Sequence, residues 1–115
     1  MLPQTTKSQA DELRRRLPTY GWEMAEIELP FEDEWWAAEF WVIESAWSPQ
    51  GVRLYLTFLV DPMGGCDDIW AVHASKERPR ERPVDNNPVM RLGHGWQREL
   101  RTFLGSLDGF RTEPP

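Results

Sequence analysis

The sequence predicts an α+β fold: a four-stranded antiparallel sheet with two helices packed on one face, in the order αββββα. Three observations carry that expectation. Apolar residues fall at helical spacing near both ends, four apolar runs suited to strands lie between them, and turn residues separate the runs. The 115-residue length suits one core, so a single domain is expected over 1–115, with 1–5 and 112–115 frayed.

In the first helical segment, from Thr6 to Leu17, Ala10, Leu13 and Leu17 make the apolar stripe. Asp11 and Glu12 precede Arg14, Arg15 and Arg16, the charge order that the helix dipole favours, and Pro18 stops the helix. From Trp22 to Leu29 the apolar parity switches between Met24 and Ala25, which predicts a bulged strand closed by Pro30.

Trp35 to Trp47 is apolar at both parities, as a central strand covered on both faces reads. Val52, Leu54, Leu56, Phe58 and Val60 alternate with Arg53, Tyr55, Thr57 and Leu59, a half-buried strand. Between these two runs, Ser48-Pro49-Gln50-Gly51 suits a type I turn followed by a left-handed glycine. A three-residue loop pairs Ser48 with Val52 and Val42 with Phe58. It sets Trp41 opposite Leu59 and Trp47 opposite Arg53, on the face away from the helices. A loop longer by one residue instead sends Trp41, Ile43 and Trp47 into the core. The three-residue loop is the expected one.

Asp61 to Asp68 reads as a loop and Ile69 to Lys76 as the fourth strand, completing a meander. Glu77 to Gly95 holds Pro79, Pro83 and Pro88 and is expected to be an irregular connection. Trp96, Leu100, Phe103, Leu104 and Leu107 then define an amphipathic helix.

Charge and composition narrow the function classes. The net charge is −6, and no Lys or Arg occurs from Leu17 to Val52, where eight Glu and Asp residues fall. Such a field repels nucleic-acid phosphates and favours a basic or cationic partner. No apolar run approaches the roughly 20 residues that cross a bilayer. With Cys66 as the sole cysteine and no secretory leader pattern, a cytoplasmic location without disulfides is expected.

No motif for a cofactor, metal or catalytic group emerges. Gly64-Gly65 with Asp61, Cys66, Asp67 and Asp68 lacks a phosphate-loop pattern, and three carboxylates disfavour anions. Cys66, His73 and His94 lack the short repeated spacing of a zinc site. Cys66 with an imidazole base would need a geometry that the spacing does not supply.

The informative feature is the aromatic, acidic segment. With the three-residue loop, Trp35, Glu39, Trp41, Trp47, Arg53 and Tyr55 share the sheet face opposite the helices. Tryptophan and tyrosine are enriched where proteins bind partners, and indole faces attract guanidinium and ammonium groups. The expected function is a non-catalytic interaction module that uses this face against itself, as a homodimer, or against a basic protein. A small cationic ligand on this face is a further candidate, and the alternative is a small-molecule-binding domain or small enzyme with a pocket near Gly64-Gly65.

Overall fold

A computed structural model describes residues 2, 4–47, 50–61, 69–83 and 88–112. Helix α1 spans Gln4–Arg16 and runs into a 3-10 turn, Leu17–Tyr20, that Pro18 opens and a left-handed Gly21 closes. Strands follow at Trp22–Glu28 (β1), Ala37–Ser45 (β2), Arg53–Val60 (β3), Ile69–Ser75 (β4) and Val89–Arg91 (β5). Helix α2, Trp96–Ser106, and a four-residue helix α3, Gly109–Thr112, complete the chain. The fraying expected at 1–5 and 112–115 falls partly on residues 1, 3 and 113–115, outside the described residues. Gln4 and Thr112 belong to helices.

Among the described residues the sheet is an antiparallel meander of five strands in the order β1-β2-β3-β4-β5, not four. The fifth strand lies in the connection expected to be irregular. It pairs Val89, Met90 and Arg91 with His73, Val72 and Ala71. Pro88 stands just before it, where a missing N–H costs no ladder bond, and its carbonyl accepts from Ala74 N–H at 3.0 Å. Three residues with only Met90 buried give almost no alternation to read.

The β1 bulge lies where the parity switches, between Met24 and Glu26. The β2–β3 pairing differs from expectation: Val42 faces Tyr55, Ile43 faces Leu54, and Glu44 faces Arg53. The last bond of this hairpin runs from Ser45 N–H to the Val52 carbonyl at 2.8 Å. Beyond it, Ala46 N–H turns to Gly21 O at 2.8 Å, and the Ser45 hydroxyl accepts from Trp47 N–H while donating to Trp47 O. These bonds end β2 early and lengthen the loop. Gly51 is left-handed, φ +89°, as the turn chemistry requires, while Ser48 and Pro49 lie outside the described residues.

The changed pairing puts Trp41 and Ile43 on the helix side. There they join Trp22, Leu54, Leu56, Phe58, Val72, Ala74 and Met90 beneath Leu13 and Leu17 of the first helical segment and Leu100, Phe103 and Leu104 of α2. Burying a side chain of this size stabilises by about 1.5–3 kcal/mol. This cluster therefore dominates the fold. The opposite face holds a smaller cluster of Trp36, Ala37, Phe40, Leu59 and Ala71, with Tyr55 packed against it.

Candidate functional site

The six residues expected to share one face do not share it. Trp41 is 3% exposed in the helix-side core, its ring 4.7 Å from that of Phe58, and its indole N–H donates to Glu39 at 3.0 Å. Glu39 faces Phe58 across the sheet and so lies on the helix side too, where it and Trp41 border a crevice of about 230 Å³ against α1. Arg53 and Tyr55 lie on the other face, where Arg53 pairs with Glu44 at 2.7 Å and not with Trp47. Trp35 and Trp47 stand in loops at opposite ends of β2, 59% and 50% exposed. The cause is the even–odd switch in the hairpin, which exchanges the faces of the β2 side chains from Glu39 to Glu44 relative to β3, up to the register shift between Ala37 and Glu39.

Two arginines, neither expected at a site, hold the aromatic rings. Arg111, on α3, is buried with its guanidinium carbon 3.9 Å from the Trp22 ring and 4.9 Å from the Trp47 ring. It donates to Ser45 Oγ at 3.0 Å, Tyr20 O at 2.9 Å and Gly21 O at 2.6 Å, and pairs with Asp108. Arg111 thus ties α3 to the start of β1 and the end of β2.

Arg78 does the same on the other face, from the β4–β5 connection. Its guanidinium carbon lies 4.0 Å from the Phe40 ring and 4.8 Å from the Phe31 ring. Nη1 pairs with Glu28, and Nη2 pairs with Glu34 at 2.6 Å. Burial opposes the Arg78 charge, but the hydrogen bonds to Glu34 and Glu28 outweigh it and raise its pKa. The β1–β2 loop folds to make this possible: Phe31 N–H donates to Glu34 Oε1 at 2.7 Å, and Glu34 N–H donates to Phe31 O at 2.9 Å. The sequence signal was there, since Lys76 to Pro83 alternates Arg with Glu around two prolines. Nothing in that alternation names Glu28 and Glu34, some 44 to 50 residues earlier, as the partners.

The remaining apolar exposure concentrates around the same loop. Leu29 is 64% exposed and Phe31 68%, with Trp35 and Ile27 nearby in sequence and exposed as well. Glu26, Glu28, Glu32 and Asp33 are interleaved with them. An open groove of about 570 Å³ lies beside Phe31, between Asp33 and Glu34 on one side and Glu77 to Arg80 on the other. Strand β1 forms one edge of the sheet, with β2 as its neighbour on the inner side.

Among the described residues, no group of three or more His, Cys, Asp or Glu is arranged to hold a metal ion. Gly64-Gly65 with Cys66, Asp67 and Asp68 lies outside the described residues. His73 is buried in β4, and His94 is exposed in the turn before α2. No helix of the described residues is long and apolar enough to cross a membrane. Comparison with protein-family models, with curated proteins and with solved structures finds no match to this chain. What the fold defines is a small globular α+β domain with an antiparallel sheet.

Proposed function

We propose that this chain is a non-catalytic binding module whose recognition surface is the acidic, apolar corner formed by β1 and the β1–β2 loop, and that its partner is a basic, extended segment of another protein. One observation carries the reading: Leu29, Phe31 and Trp35 expose large apolar surface within seven residues of chain, threaded among carboxylates. Aromatic anchors with a charged rim are the anatomy of a protein interface. Trp35 is the residue of the sequence-derived set that belongs to it. An edge strand also offers unpaired backbone groups to an incoming strand. Glu23, Glu26 and Glu28 on that edge repel a second copy of β1, which favours a basic partner over self-pairing through this edge.

Isothermal titration with a decapeptide alternating arginine and leucine tests the proposal, with an aspartate–leucine decapeptide as control. Binding is expected for the basic peptide alone, weakening as salt rises. It should weaken at least tenfold in the double variant Phe31→Ser, Trp35→Ser, whose far-UV circular dichroism should match the wild type. Equal affinity in wild type and double variant would sink the proposal.

A further inference from the structure

The Arg78 guanidinium rests in a seat built entirely from a distant part of the chain. Phe40, fully buried, supplies a ring face on one side, and Phe31 supplies the second ring. Glu28 and Glu34 take different terminal nitrogens, and the Leu29 carbonyl lies 3.4 Å from Nη2. Glu34 is buried and fixed by the Phe31 N–H, so its carboxylate is in position independently of the cation. Two carboxylates set for two nitrogens, beside flat ring faces, match a planar guanidinium. A lysine ammonium has no plane to lie against the rings and no fixed fork to divide between the two acids.

Resting on the proposed binding corner, we infer that this seat is its arginine-recognition site and that Arg78 is a built-in occupant. A partner's arginine, carried on a proline-flanked extended segment, takes the place of Arg78. Three features point this way. The seat selects the side chain that a basic partner would bring. Arg78 is delivered by residues 76–83, which form neither helix nor strand, so it can leave without breaking the sheet ladder. The open groove of about 570 Å³ beside Phe31 gives an incoming chain access to Glu34 of the seat and to Arg78 itself.

The tethered Arg78 competes at an effective concentration in the millimolar range, so the intact chain should bind such a segment weakly. Removing Arg78 removes that competition and should tighten binding, because the receptive state is no longer a minor fraction. The test uses the full chain, wild type and Arg78→Ala, titrated calorimetrically with a capped octapeptide of the sequence found at 76–83. A second octapeptide carries lysine in place of each arginine.

At least tenfold tighter binding of the arginine peptide is expected in Arg78→Ala than in wild type. The lysine peptide should bind that variant at least tenfold more weakly, and adding Glu34→Gln should abolish the gain. Equal affinity in wild type and Arg78→Ala, or equal affinity of the two peptides, would overturn the inference. Should Arg78→Ala fail to fold, Arg78→Lys replaces it, with the same order expected and the same equalities overturning it. The two readings separate cleanly. If the alternating arginine–leucine decapeptide binds wild type in the manner proposed while the octapeptides show no arginine preference, the corner stands and the seat falls. If wild type ignores the decapeptide while Arg78→Ala takes the arginine octapeptide, the seat stands and the broader corner falls.

Discussion

The indole of Trp47 lies directly against Gly21: a β-carbon added at Gly21 would fall 2.2 Å from Trp47 Cδ2. Gly21 also has φ +80°, and its carbonyl receives both Ala46 N–H and Arg111 Nη2. Any side chain there meets two separate penalties, a left-handed backbone of about 1–2 kcal/mol and an overpacked contact of about 1–3 kcal/mol. Gly21→Ala is therefore expected to lower stability by about 2–5 kcal/mol. Adding Trp47→Ala should recover the contact part and leave the backbone part. Urea midpoints of the four proteins, read at constant slope, check this as a double-mutant cycle.

Trp41 and Trp35 carry the same side chain on the same segment and should respond in opposite ways. Trp41 is sealed against Phe58 in the helix-side core, so Trp41→Ala leaves a large void and should cost about 3–5 kcal/mol. Trp35 stands in the β1–β2 loop with more than half its surface in solvent, and Trp35→Ala should stay within about 0.5 kcal/mol of wild type. Thermal unfolding of the two variants is the measurement. A Trp41→Ala protein as stable as the wild type would contradict the β2–β3 pairing.

The contrast between those tryptophans marks where sequence reading stopped. The α+β class, α1 and α2, the bulge in β1 and the first four strands were legible because each rests on a pattern carried by many residues. The hairpin was not, because its pairing depends on how many residues the turn consumes. In β2, apolar at both parities, no alternation votes for either face. The ion pair of Glu44 with Arg53 was a usable clue, since the expected pairing left Glu44 beside Leu56. β5 was too short to show a period. The arginine seats were invisible for a different reason: each joins groups dozens of residues apart, and local spacing does not encode such contacts.

Arg111 makes the C-terminal turn part of the fold. Replacing it with Ala leaves the carbonyls of Tyr20 and Gly21 without that donor and exposes the Trp22 ring it covers. Gly21 O keeps the Ala46 N–H, whereas leaving the Tyr20 carbonyl without its donor costs about 1–3 kcal/mol and the lost desolvated cation–π contact adds about 2 kcal/mol. Arg111→Ala is expected to lose about 3–5 kcal/mol. Arg111→Lys should recover only part of that, because an ammonium cannot stack between two indoles while reaching both carbonyls. Chemical denaturation compares the three. Equal stability of the lysine variant and the wild type would show that charge alone does the anchoring.

Two surface carboxyls, Glu26 and the partly exposed Glu12, should tilt the pH dependence of stability in opposite directions. A hydrogen bond with Glu28 holds the Glu26 carboxyl above its ordinary value of 4.5, with burial and the nearby Glu28 charge adding to the shift. Hydrogen bonds from Arg15 and Arg16 hold Glu12 below the same value. A raised folded pKa means the folded chain binds the extra proton, so the Glu26 contribution is fully present below 4.5 and is lost as pH rises through the raised value. The Glu12 contribution is present above 4.5 and is lost as pH falls through the lowered value. Glu26→Gln should accordingly flatten the fall in stability just above 4.5, and Glu12→Gln should flatten the fall just below it. Glu26 is exposed and Glu12 is partly exposed, so solvent screens both effects and they should shrink as salt is added. Urea midpoints measured on either side of 4.5, with and without salt, decide it, and an unchanged pH profile in Glu26→Gln would show that the Glu26–Glu28 pair shares no proton.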